Sequence, residues 1–217
     1  MKSLLVYDLD GTLVDTADDI VCSANHMLRE LGHAELSSSE IEGYVGHGLH
    51  HLLGECLKSK DEKLIERGAK IYRSFYAEHM MDHSVLFPGA EIFLETFKNR
   101  FQAVVTNKPN PYATEMLKSL RVASYFTEIL GGNSGFPYKP DPAALLHLIG
   151  KHKISKKETV YIGDSAIDIE MARKADVEVI VLTHGFAKEQ ALRASRPDGI
   201  FHHFTELLAH AKECAWL

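Results

Sequence analysis

An α/β fold, a doubly wound parallel sheet with an inserted α-helical cap domain, is predicted for this 217-residue chain by three observations. Short, continuously apolar runs alternate with amphipathic helical stretches over most of its length. One long segment near the N-terminus is helical throughout, and the most reactive polar residues fall where apolar runs end. Continuous apolar runs suit parallel strands covered on both faces. Repeated strand-then-helix units build a doubly wound sheet, whose ligands gather beyond the carboxyl ends of the strands.

The first strand is placed at Leu4–Asp8. From Thr16 to Asp82 the pattern is helical; Leu64, Ile65, Gly68, Ile71, Tyr72, Phe75 and Tyr76 recur three and four apart along one face. About four helices between the first two strands are too many for a crossover, so residues 16–83 are read as a cap inserted into a core of residues 1–15 and 84–217. Seven Lys/Arg against twelve Asp/Glu between Thr16 and His83 make that cap an acidic, solvated lid. Asp15 is read as the cap of its first helix, with hinges at Asp15-Thr16 and His83–Phe87. Phe87-Pro88-Gly89 marks the return to the core. Helices then follow at Ala90–Lys98, Pro111–Leu120, Pro142–His152 and Ile167–Lys174, and strands at Gln102–Thr106, Glu128–Gly131, Thr159–Gly163 and Glu178–Thr183.

Composition narrows the function classes. With 45% apolar and 25% charged residues, the chain can fill the core of one α/β domain and a smaller insertion. A net charge of −6 argues against bulk binding to nucleic acid or anionic membrane. No apolar run reaches the roughly 18 residues of a membrane span. Cys22, Cys56 and Cys214 are too few and scattered for a disulfide framework or zinc cluster, and as reduced thiols they suit the cytoplasm. The apolar run Leu4–Tyr7 meets Asp8 and Asp10 at once, unlike a signal peptide. No feature fixes an oligomeric state.

The strongest chemical signal is Asp8-Leu9-Asp10-Gly11-Thr12 at the end of the first strand. Side chains two apart on a strand face the same way, so both carboxylates can reach one site. Such carboxylates repel unless a cation lies between them or one is protonated. Magnesium suits that gap, because it takes hard oxygen ligands and keeps positions open for a phosphate. Gly11 lets the backbone turn and present N–H groups to an anion. Thr106-Asn107 closes the second strand with a hydroxyl and an amide fit for phosphate oxygens. Lys139 lies between constraining residues in Tyr138-Lys139-Pro140-Asp141-Pro142. Gly163-Asp164-Ser165 follows an apolar strand, and Asp168 falls on the first turn of the next helix near Asp164; the pair also reads as a helix cap plus a first-turn acid. Each group lies at or beyond the carboxyl end of a strand, so all converge on one rim.

With these four motifs, the chain resembles the haloacid dehalogenase (HAD) superfamily over nearly its whole length, and most closely its phosphoglycolate phosphatase-like branch. Gly46-His47-Gly48-Leu49, Phe87-Pro88-Gly89, Thr106-Asn107-Lys108 and Gly163-Asp164-Ser165 with Asp168 carry that narrower likeness. The resemblance implies a Rossmann-like core and a magnesium-dependent phosphatase acting on a small phosphorylated metabolite through an aspartyl phosphate. It makes Asp8 the nucleophile and Asp10 the general acid/base. Thr106 and Lys139 become phosphate ligands; Asp8, the Asp10 carbonyl and Asp164 hold Mg2+, with Asp168 supporting or bound through water. Gly46, His47 and Gly48 become candidates for substrate selection.

Two departures qualify the likeness. Ala175-Asp176 stands where relatives carry Ala-Gly, and Asp must then tolerate a left-handed turn. The loop Gly46–His51 has no Arg or Lys to clamp a carboxylate, which leaves His47 or backbone N–H groups for that task. The adjacent pairs His50-His51 and His202-His203 lack a zinc-type spacing and are read as solvated. Gly131-Gly132 is read as a strand-to-loop bend. Two alternatives share these residues: a phosphoglucomutase-type phosphoryl transfer, and a non-catalytic binding protein that keeps every catalytic group.

Overall fold

The computed structural model describes residues 1–216. Its contacts divide the chain into a core, Met1–Asp15 continued from Leu86 onward, and a second unit, Thr16–Val85. In chain order, β1 (Leu4–Tyr7) leads to β2 (Val14–Asp15), and the second unit then supplies α1 (Ala17–Glu30), α2 (Ser38–Glu42), α3 (Leu49–Leu57) and α4 (Glu62–His79). The chain returns through β3 (Val85–Leu86) to α5 (Ala90–Thr96), β4 (Phe101–Val105), α6 (Tyr112–Ser119), β5 (Glu128–Leu130) and α7 (Ala143–His152). The core closes with β6 (Thr159–Gly163), α8 (Ala166–Ala175), β7 (Glu178–Leu182), α9 (Glu189–Ala194), β8 (Gly199–Phe201) and α10 (Phe204–Glu213).

The core sheet has the order β5-β4-β1-β6-β7-β8, with every pairing parallel. Two strands lie to one side of β1 and three to the other, the doubly wound arrangement in which the connection reverses beside the first strand. β1 is central, and its four side chains are all fully buried. Val6 pairs with Ala103 on one side and Tyr161 on the other, which fixes the register of the three strands that carry the site. Alternation then sorts the faces. Leu4, Val6, Val105, Tyr161 and Val181 pack with Leu145 and Leu148 of α7 and Ile169 of α8. Tyr7 meets Phe93 of α5 edge-on, with ring centroids 6.3 Å apart on the other face.

The sheet is the doubly wound one that the periodicity predicts, and it extends further. β8, α9 and α10 were not expected from the sequence; a three-residue edge strand starting at Gly199 carries too little pattern to be read. Asp15 does not cap α1, whose N-cap is Thr16 and which lacks a side-chain capping bond. Asp176 takes the left-handed conformation after α8, φ 58°, in the place where glycine was missed.

The second unit is helical. Along α4, Ile65, Gly68, Tyr72 and Tyr76 are buried, whereas Leu64, Ile71 and Phe75 of the same apolar stripe are half-buried. A Cβ at Gly68 would lie 3.2 Å from the Met27 sulfur, so α1 and α4 approach closely there. Asp19 on α1 is buried and accepts bonds from the Ser84 N–H (2.9 Å), the Ser84 hydroxyl (2.7 Å) and the His83 N–H (3.0 Å). That one carboxylate ties the first helix of the unit to its last residues. Gly48 caps α3 at φ 89°, and the His47 and His51 rings lie 4.6 Å apart across the first turn.

Candidate active site

The site is built from the carboxyl ends of β1, β4 and β6 and the loop before α7. Asp8 follows β1 on the Leu4 and Val6 face and is 6% exposed. Its Oδ1 accepts the Leu9 N–H at 2.7 Å, and its Oδ2 lies 2.7 Å from the Lys139 Nζ. Lys139, 5% exposed, also reaches Asp168 Oδ1 at 2.8 Å. Asp164 follows β6 and is held by the Thr12 hydroxyl at 2.7 Å on Oδ1 and the Phe186 N–H at 3.0 Å on Oδ2. Among the described residues, one carboxylate oxygen each from Asp8, Asp164 and Asp168 lie within 4.8 Å of one another.

Gly11 lets these chains meet. Its φ is +78°, and a Cβ there would lie 2.5 Å from Asp164 Oδ2 and 2.6 Å from the Phe186 ring. A side chain would therefore be strained and would displace the carboxylate that the turn serves.

Electrostatics follow from burial. Loss of solvent pushes the Asp8 carboxyl up to about 6; Lys139 opposes the rise and Asp168 adds to it. Burial, then Asp168 and Asp8, hold the Asp164 carboxyl well above the usual range. Burial alone would lower the Lys139 ammonium, but Asp168 and Asp8 outweigh it and the net shift is upward. Counted as ions, the carboxylates of Asp8, Asp10, Asp164 and Asp168 exceed the ammonium groups of Lys139 and Lys108 by two negative charges. A divalent cation with a taste for hard oxygen fits both the donor set and the deficit.

The four acids do not serve alike. Asp168 Oδ1 accepts from Lys139 and lies 3.1 Å from the Tyr161 oxygen, whose one proton goes to the Val105 carbonyl at 2.9 Å; Oδ2 accepts from the N–H groups of Asp164 (3.2 Å) and Ser165 (3.1 Å) and the Ser165 hydroxyl (2.6 Å). Four donors occupy that carboxylate, which suits an orienting group more than a direct metal ligand. Asp8 and Asp164, with one donor on each oxygen, retain lone pairs for a cation. The Asp10 carboxylate stands apart from the trio and pairs with Lys108 at 2.7 Å.

Thr106 is buried, and its hydroxyl accepts the Lys108 N–H at 3.2 Å. The Asn107 side chain bonds the backbone of Lys139. Its Oδ1 accepts the Lys139 N–H (2.8 Å) and its Nδ2 donates to the Lys139 carbonyl (3.1 Å), clamping the lysine's backbone to β4. Gly46, His47 and Gly48 lie in the second unit, between α2 and α3. Sequence reasoning missed Lys108, Thr12, Phe186 and Tyr161 as members of this network. Lys108 and Thr12 adjoin motif residues and were findable by position. The Tyr161 hydroxyl is brought in by strand register, and the Phe186 N–H by the loop between β7 and α9.

Comparison with known proteins places this geometry. A family profile described as haloacid dehalogenase-like hydrolase matches residues 5–182. A phosphoglycolate phosphatase of Vibrio parahaemolyticus is 33% identical over 216 residues, covering 94% of each chain, and one of Pasteurella multocida is 32% identical over 94% of this chain and 96% of its own. The crystal structure of a predicted phosphoglycolate phosphatase from Haemophilus somnus superposes with a TM-score of 0.92 at 30% identity, covering 97% of this chain and 98% of that one. A buried aspartate, its buried lysine partner and an acidic trio at the ends of a doubly wound sheet thus accompany sequence likeness along nearly the full length, and the chain belongs to the haloacid dehalogenase-like hydrolase family.

Proposed function

We propose that this hydrolase is a magnesium-dependent phosphatase that cleaves a small phosphomonoester of the phosphoglycolate kind through an aspartyl-phosphate intermediate. The observation that carries the reading is the buried Asp8 carboxylate, 2.7 Å from Lys139 in a pocket short of two positive charges. A phosphomonoester dianion repels an approaching carboxylate, so attack requires fixed positive charge around both. Asp8, Asp164 and the Asp10 carbonyl would hold the magnesium ion, which would supply part of that charge.

Asp8 Oδ2 or Oδ1 bonds to phosphorus as the ester P–O bond breaks, and Asp10 gives its proton to the departing alkoxide. Lys108 on Asp10 Oδ1 leaves the second oxygen to carry that proton. Asp10 then takes a proton from the water that attacks the acyl phosphate, and phosphate leaves with Asp8 restored. Lys139 and the Thr106 hydroxyl bind the phosphoryl oxygens, and the Asn107 amide holds the Lys139 backbone in place. Gly46, His47 and Gly48 select the rest of the substrate.

The test is release of phosphate from p-nitrophenyl phosphate and phosphoglycolate by purified protein with Mg2+, abolished in Asp8→Asn. Silence across a broad panel of monoesters would replace this reading with a binding protein. Conversion of β-glucose 1-phosphate to glucose 6-phosphate without free phosphate would replace it with a mutase. An unchanged substrate profile in His47→Ala would remove His47 from selection.

A further inference from the structure

Tyr161 is a fully buried residue of β6 whose hydroxyl does not end in apolar packing. It donates to the Val105 carbonyl at 2.9 Å, and it lies 3.1 Å from Asp168 Oδ1 and 3.3 Å from the Lys139 Nζ. An ammonium has three protons. Those of Lys139 have three acceptors within reach: Asp8 Oδ2 at 2.7 Å, Asp168 Oδ1 at 2.8 Å and the Tyr161 oxygen at 3.3 Å. We propose that Tyr161 is a positioning residue, the third acceptor that fixes the direction of the Lys139 ammonium. The role rests on the phosphatase reading, in which that ammonium must meet a phosphoryl oxygen.

Geometry favours this over simple packing. A phenylalanine would fill the same space against Ile169 and Leu145 but would leave one ammonium proton facing a hydrocarbon edge in a dry site. Two acceptors define a line about which the ammonium can swing, whereas three define a point. Tyr161 holds its own place independently of the lysine, since it is anchored to the backbone of β4 through Val105. Of the lysine's three contacts, the one to Tyr161 is longest and uncharged, so an arriving phosphoryl oxygen can take over that proton while both carboxylates keep their ties.

Tyr161→Phe and a variant with 4-aminophenylalanine at 161 form the test. The second keeps an N–H donor for Val105 and so preserves the packing and the anchor, but its delocalised lone pair is a poor acceptor for Lys139. Both should hydrolyse p-nitrophenyl phosphate with kcat lowered about tenfold, the scale of one lost bond to a charged group, and KM changed less than about threefold. Crystal structures of the two variants should show the Lys139 Nζ displaced or split. A wild-type kcat in whichever variant folds, or a lysine unmoved beside Asp8 and Asp168, overturns the proposal. Wild-type protein inactive on every monoester would instead sink the phosphatase reading, and the crystal structures would still decide whether Tyr161 places the lysine.

Discussion

Replacing Asp8 by asparagine should stabilise the metal-free protein at neutral pH while destroying its activity. The carboxyl is pushed from an ordinary 3.8 to about 6 by burial. A group whose folded-state value is raised binds more protons folded than unfolded between those two values, so stability falls as pH rises through that window. About two units at roughly 1.4 kcal/mol each give about 3 kcal/mol lost from wild type between pH 4 and pH 7.5. Asparagine cannot ionise and escapes that loss, and its absence of charge also eases the repulsion felt by Asp164. Urea unfolding in EDTA across this range should therefore show the gap between variant and wild type widening in the variant's favour by about 3 kcal/mol. For a chain of this length that is roughly 6–12 °C in Tm. Magnesium should narrow the gap by stabilising wild type more. A gap independent of pH, or one that grows toward acid, would refute the claim that Asp8 is a strained, desolvated carboxylate.

Lys139→Met leaves Asp8 and Asp168 without their buried counter-charge; the expected loss is about 3–5 kcal/mol in metal-free urea unfolding, partly recovered with Mg2+. Gly11→Ala puts a methyl on Asp164 at a positive φ; calorimetry should show Mg2+ affinity down at least about tenfold, and unchanged affinity would mean that Asp164 is not a ligand. Asp19→Asn replaces an acceptor of three donors with an amide that must point N–H groups at one of them. A loss of about 1–3 kcal/mol is expected, read as faster hydrogen exchange at the His83 and Ser84 amides.

Much of this was legible in the chain because burial on two faces leaves a loud pattern. Leu4–Tyr7, Val160–Ile162 and Val179–Leu182 are apolar without interruption, and all are inner strands. The acids were legible because they follow those strands directly. What stayed hidden depends on partners far along the chain. Tyr161 reads as one more apolar strand residue until register sets it against Val6 and its hydroxyl below Val105. The bonds of Asn107 to the Lys139 backbone exist only because the loop before α7 comes to its amide. β8 and α9 are too short for any periodicity to show.

Asp168 starts helix α8 through its bond with Ser165 and also touches the Lys139 ammonium. One side chain therefore belongs at once to the scaffold and to the charge balance of the pocket. Whatever draws the lysine away must redistribute electron density toward the amides of Asp164 and Ser165 on its other oxygen. Those two nitrogens should act as a built-in reporter, shifting in an NMR spectrum when an anion engages the lysine, before any bond is made or broken.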